Sequence, residues 1–170
     1  MKPLFTAVRS AMAGAVARRV VVGALSISAA GTAGIIAHEG EVRKVYLDPI
    51  NIPTVCVGHI ATVKNTPVGT PFSAERCREL LKQDLHASEA GVKRAVKVPI
   101  TQAQYDALVS FTFNVGPAAL QSSTLVRKLN AGDCWGAGAE FMRWTLAGGK
   151  HLRGLEIRRA DERAAFETGC

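Results

Sequence analysis

The chain has 170 residues, 48% of them hydrophobic, and carries 21 Lys and Arg against 14 Asp and Glu for a net charge of +7. The first 37 residues hold four of the basic residues and no acid, so the remainder, with 17 basic and 14 acidic residues, is mildly basic at +3. Arg158, Arg159 and Arg163 are interleaved with Glu156, Asp161, Glu162 and Glu167, which argues against nucleic-acid binding and predicts a solvated, ion-paired helix face. No Cys/His cluster has metal-ligand spacing, so no metal and no cofactor are expected.

In chain order, the first feature is an uncharged stretch of 18 residues, Val20 to Ala37. At a helical rise of 1.5 Å per residue it would cover about 27 Å, just enough to cross a bilayer core of about 30 Å. Lys2, Arg9, Arg18 and Arg19 precede it, a bias that favours a cytoplasmic N-terminus and export of the chain beyond Ala37. Its composition is weak for an anchor: three glycines, two serines, a threonine and five alanines leave seven Val, Leu or Ile residues. Three fates are open on these grounds: a signal cleaved near Ser28-Ala29-Ala30, a permanent anchor, or an uncleaved anchor that inserts and later leaves the membrane. Residues 1–37 are accordingly read as an N-terminal anchor segment and 38–170 as the body.

The apolar run Ile35 to Ala37 predicts a helix ending near Glu39. Tyr46-Leu47 and Thr54-Val55-Cys56-Val57 then read as a small hairpin. Ser73 caps a helix from Ala74, with Leu80, Leu81, Leu85 and Val92 on its apolar face. Thr101-Gln102-Ala103-Gln104 is a capping-box pattern, and the helix it opens runs through Tyr105, Leu108, Val109 and Phe111 to Gly116-Pro117. Shorter helices are predicted at Thr124 to Asn130, Trp135 to Trp144 and Gly154 to Glu167, with Lys64 to Pro71 and Gly148-Gly149 as loops. The fold class is α+β, mostly helical, with a small sheet. Phe111, Phe113, Trp135 and Trp144 are assigned to the core.

The chemistry concentrates around Glu39, Asp48 and Thr54. Glycoside hydrolysis needs an acid to protonate the leaving oxygen and groups to hold water, and a carboxylic acid, a second carboxylate and a hydroxyl can divide that work. A Glu acting as acid near neutral pH must be kept protonated, which the flanking Ile35, Ile36 and Val42 could achieve by burial. Spacing alone also fits a helix-end Glu and the first residue of an Asp-Pro turn. His38 and His59 flank the motif, and His86 and His151 have no evident role.

These residues sit in a longer pattern: Glu39-Gly40, Tyr46-x-Asp48, Thr54-Val55-Cys56-x-Gly58-His59, Phe113-Asn114-Val115-Gly116, Ser123-Thr124-Leu125, Arg143-Trp144-Thr145, Gly148-Gly149-Lys150 and Gly154-Leu155 before Arg158-Arg159. In this order they resemble the T4-type phage lysozymes, a glycoside hydrolase family, and most closely its signal-arrest-release endolysin branch, over about residues 34–169. The resemblance implies a lysozyme-like fold with the hairpin beside the active-site cleft. Glu39 would be the general acid, Asp48 the second carboxylate and Thr54 the hydroxyl that positions water, with inversion as the outcome. Asn114 is a candidate glycan contact. Cys56 departs from the glycine of many soluble members. The implied substrate is peptidoglycan, cleaved between N-acetylmuramic acid and N-acetylglucosamine. The implied setting is the host inner membrane, engaged through residues 20–37 until release into the periplasm triggered by loss of the membrane potential. A monomer is expected. The competing readings are a lytic transglycosylase, against which Asp48 and Thr54 argue, and a membrane-disrupting or holin-like protein with a dead site.

Cys56, Cys77, Cys134 and Cys170 allow three full pairings, and export would place them where disulfides persist. Free thiols are the alternative. None lies in residues 20–37, so a thiol switch in the anchor has no basis.

Overall fold

A computed structural model describes residues 18–48 and 51–170. Lys2 and Arg9, half of the basic flank on which the expected membrane orientation rests, lie outside the described residues.

The body is a helical assembly with two short antiparallel hairpins. The helices are α1 (Ala29–Glu39), α2 (Ala74–Ala95), α3 (Gln102–Val115), α4 (Pro117–Ser122), α5 (Thr124–Asn130), α6 (Cys134–Glu140) and α7 (Arg153–Glu167). The strands are β1 (Val42–Leu47) with β2 (Pro53–Cys56), and β3 (Leu146–Ala147) with β4 (Lys150–His151). Helix α3 is central, and its capping box forms as its sequence dictates: Thr101 accepts from the Gln104 amide while Gln104 accepts from the Thr101 amide. Ser73 caps α2 and Ser123 caps α5 in the same manner. Tyr105, Leu108, Val109 and Phe111 of α3 sit in the main core with Leu120, Leu125, Phe141 and Phe166. A smaller core of Val45, Val55, Cys56, Val63, Cys77 and Leu80 lies under the first hairpin.

Residues 20–37 are folded onto this body. Val20 exchanges backbone hydrogen bonds with Ile100 at 2.8 and 3.0 Å, a single 3-10 turn spans Val22–Ala24, and extended backbone at Leu25 and Ser28 precedes α1. Val22, Leu25 and Ile35 are buried in the main core. Among the described residues no helix is long and apolar enough to cross a membrane. Ser28 caps α1, and its amide donates to Asp106 of α3. A Cβ on Gly31 would come within 2.8 Å of the Asp106 side chain, so this contact between helices requires glycine.

Several expectations are corrected. Arg158, Arg159 and Glu162 are buried: with Phe166 they occupy the i, i+1, i+4, i+8 stripe of α7, and charge type misleads where spacing points inward. Trp135, expected in the core, is 62% exposed on the first turn of α6. The helix expected over 135–144 ends as α-helix at Glu140 and continues as a 3-10 turn, Phe141–Arg143. Helix α3 does stop at Gly116-Pro117, but an unexpected helix, α4, starts there, with proline at the first helical position, where its missing N–H costs nothing. Gly148 and Gly149, expected as a flexible loop, make the two-residue turn of the β3–β4 hairpin, both at positive φ (56° and 76°). All four cysteines are paired, Cys56 with Cys77 and Cys134 with Cys170.

Candidate active site

Glu39 is the last residue of α1, and the chain leaves the helix at Gly40 with φ 73°. The C-terminus of a helix is the negative end of its dipole, so a carboxylate there draws its counter-charge from elsewhere. It comes from Arg158, whose Nη1 donates to Glu39 Oε1. The two residues are 119 positions apart. The apolar setting expected from the neighbours of Glu39 is therefore not the one found: Ile35 points into the core, Val42 is exposed, and the Glu39 side chain, 22% exposed, meets a guanidinium.

The second oxygen of Glu39 faces Gly58. A Cβ at this position would lie 3.4 Å from Oε2, and its φ of 73° already disfavours any other residue. The turn that presents Gly58 is firmly held. Val55 and His59 exchange backbone hydrogen bonds of 2.9 Å each. Buried His59 places Nδ1 2.8 Å from Asp84 Oδ2 and Nε2 2.9 Å from Thr62 Oγ1. Cys56, at φ 57°, is bonded to Cys77 of α2. Both long-range ties anchor the turn to one helix.

Asp48 and Thr54 are brought together by the peptide groups of Ile52. The Ile52 amide donates to Asp48 Oδ1 at 2.8 Å, and its carbonyl accepts from the Asp48 amide and from Thr54 Oγ1, both at 3.0 Å. The Thr54 hydroxyl hydrogen is thus committed, while its lone pairs can still accept. In the hairpin register Tyr46 lies opposite Thr54 and Leu47 opposite Pro53, so Tyr46, Asp48 and Thr54 share one face. Tyr46 lies within the field of both carboxylates: burial first, then the charges of Glu39 and Asp48, push its phenol above the ordinary value. This position of Tyr46 goes unseen in the sequence reading, although its period-2 spacing from Asp48 holds the signal.

Asn114 is exposed on the last turn of α3. The depression beside it, about 220 Å³, is lined by Gly58, His59, Ile60, Asp84, Phe113 and Gly116, and Asn114 is not part of that lining.

Arg158 is the functional residue that sequence reasoning misses most clearly. Its Nε donates to Glu162 Oε1 at 3.0 Å and its Nη2 to the Ser110 carbonyl at 3.1 Å. The arrangement can therefore hold an acid at a helix end, fix one of its oxygens, and set it against a hairpin face with a second carboxylate and a hydroxyl acceptor.

The phage lysozyme family model matches residues 36–162. The endolysin of Salmonella phage P22 is 41% identical over 144 residues, covering 84% of this chain and 98% of the relative. The SAR-endolysin of Enterobacteria phage P21 is 38% identical over 152 residues, covering 88% and 91%. The endolysin of Bacillus phage B103 is 40% identical over 147 residues; the match takes in 85% of this chain but spans only 55% of that relative. Among solved structures, the muramidase domain of SpmX from Asticaccaulis excentricus superimposes with a TM-score of 0.74 at 33% identity, over 83% of this chain and 97% of that one.

Proposed function

Since the chain belongs to the phage lysozyme family, we propose that it is an endolysin with muramidase activity. It hydrolyses the β-1,4 bond between N-acetylmuramic acid and N-acetylglucosamine in peptidoglycan. The observation that carries this reading is the placement of Glu39: one oxygen held by Arg158, the other facing bare Gly58, with Tyr46, which lies opposite Thr54 in the hairpin, close enough to feel the charges of both Glu39 and Asp48. The relatives named as endolysins and the SpmX domain named as a muramidase support it.

In this mechanism Glu39 protonates the glycosidic oxygen as the bond to the anomeric carbon breaks. Asp48, braced by the Ile52 amide, takes a proton from the attacking water and stabilises the oxocarbenium-like transition state. Thr54, its own hydrogen engaged, accepts a hydrogen bond from that water and turns its lone pair toward the sugar. Attack from the face opposite the leaving group inverts the anomeric centre.

Residues 1–37 serve as a signal anchor, with the N-terminus in the cytoplasm, until the protein is released into the periplasm. The similarity to SAR-endolysins supports this. The fold adds a consequence of this reading: Val22, Leu25 and Ile35 cannot lie among lipid tails and in the protein core together. A tethered chain would lack those core contacts and hold Glu39 at the headgroups, which makes it inactive.

The test is turbidity loss of purified peptidoglycan with wild type and Glu39→Gln, with product masses recorded. Hydrolytic products from wild type and none from the variant are expected. Equal activity in the variant would remove the assignment, and anhydro products would indicate a lytic transglycosylase.

A further inference from the structure

Behind Glu39 lies a carboxylate that the reaction does not touch. We propose that Glu162 is a positioning residue for the hydrolysis: it aims the Arg158 guanidinium at Glu39 and offsets part of the positive charge that Glu39 faces. The inference rests on Glu39 being the acid.

Glu162 Oε1 accepts from Ser110 Oγ at 2.7 Å, Arg158 Nε at 3.0 Å and Arg159 Nη2 at 3.1 Å, and Arg159 Nε lies 2.9 Å from Oε2. Arg158 is 4% exposed, Arg159 0% and Glu162 4%. Because a guanidinium is planar and rigid, bonds from Nε to Glu162 and from Nη2 to the Ser110 carbonyl leave Nη1 one direction, toward Glu39. Without Glu162, one of the two anchors of that fork is gone.

The same contacts set the charge balance. Arg158 and Arg159 bring two buried positive charges, and Glu162 cancels one. Arg159 also interacts with Glu39 and is stacked 4.9 Å from the Phe111 ring. The other titratable groups around the cluster are Tyr46 and Asp48 on the hairpin, Asp106 on α3, His38 on α1 and Asp161 on α7. His38 Nε2 is 3.5 Å from Asp161 Oδ2, so that pair is engaged with itself. Among the described residues, the carboxylates hydrogen-bonded to Arg158 are Glu39 and Glu162. Changing Glu162 to glutamine keeps its shape and exposes Glu39 to both arginine charges, a field that favours loss of the Glu39 proton.

The experiment measures kcat/KM against pH on purified peptidoglycan for the full chain as wild type, Glu162→Gln and Glu162→Asp, with circular dichroism to establish folding. The alkaline limb, where the acid loses its proton, should move to lower pH by about one unit in Glu162→Gln. It should move in the same direction by less in Glu162→Asp, which keeps the charge but is one methylene short of Arg158. If the glutamine variant does not fold, the aspartate variant decides. A limb that stays in place in a folded variant overturns the proposal, because a merely structural role lowers the rate without moving the limb. Activity in Glu39→Gln would instead remove the underlying assignment, so the two failures are distinct.

Discussion

Leu25→Ala tests whether the segment expected from sequence to span a membrane is structural in the folded protein. Leu25 is 7% exposed within the main core, on extended backbone between the 3-10 turn and α1. Truncation to alanine withdraws three carbons, about 2.4 kcal/mol of transfer free energy at about 0.8 per methylene. The site lies near the surface, so its cavity can partly collapse, and the sum is about 3 kcal/mol. For a domain of this size each kcal/mol lowers Tm by about 2–4 °C, which gives a fall of about 6–12 °C. The assay is thermal unfolding of the purified protein monitored by circular dichroism, with Val21→Ala as control. Val21 is 71% exposed four residues away and should change stability by less than about 0.5 kcal/mol. Equal melting of Leu25→Ala and wild type would refute the packing of residues 20–28 on the body. It would also remove the argument that membrane insertion and a complete core exclude each other.

Three further outcomes are expected. Arg158→Lys keeps the charge but loses the planar fork that reaches Glu39, Glu162 and the Ser110 carbonyl together, so peptidoglycan hydrolysis should fall by about 10–100-fold with helix content retained; full activity would mean that the fork is unimportant. Replacing Cys56 and Cys77 together by alanine opens a loop with a sequence separation of 21 and should cost about 3 kcal/mol in a denaturant titration; an unchanged midpoint would contradict it. The hydrogen bond from Lys128 holds the Glu140 carboxyl below its ordinary 4.5, so its stabilisation is present above pH 4.5 and lost as pH falls through the lower folded value. Glu140→Gln should therefore flatten the acid side of the Tm-against-pH curve, and an unchanged slope would refute that.

Short-range chemistry is what the sequence determined by itself. Thr101 and Gln104 define the start of α3, Ser73 and Ser123 mark two more helix starts, and the β-prone runs around Asp48 and Thr54 give the hairpin, because caps and strand preferences act within a few residues. Glu39, Asp48 and Thr54 could be singled out because their spacing and motif are local, and the Ile52 peptide that unites the last two lies between them. Tertiary structure decided the features that depend on pairings across the chain. The guanidinium on Glu39 comes from 119 residues away. The same α7 stripe that reads as charged surface is buried, since Glu39, Ser110 and Glu162 accept hydrogen bonds from Arg158, and Glu162 pairs with Arg159, at a helix interface that no local pattern encodes. The disulfide pairing, likewise, is one of three until the fold brings Cys56 to Cys77 and Cys134 to Cys170. Residues 20–37 are the sharpest case: their weak hydrophobicity suits both lipid and protein, and burial of Val22, Leu25 and Ile35 against the body is a property of the surface they meet.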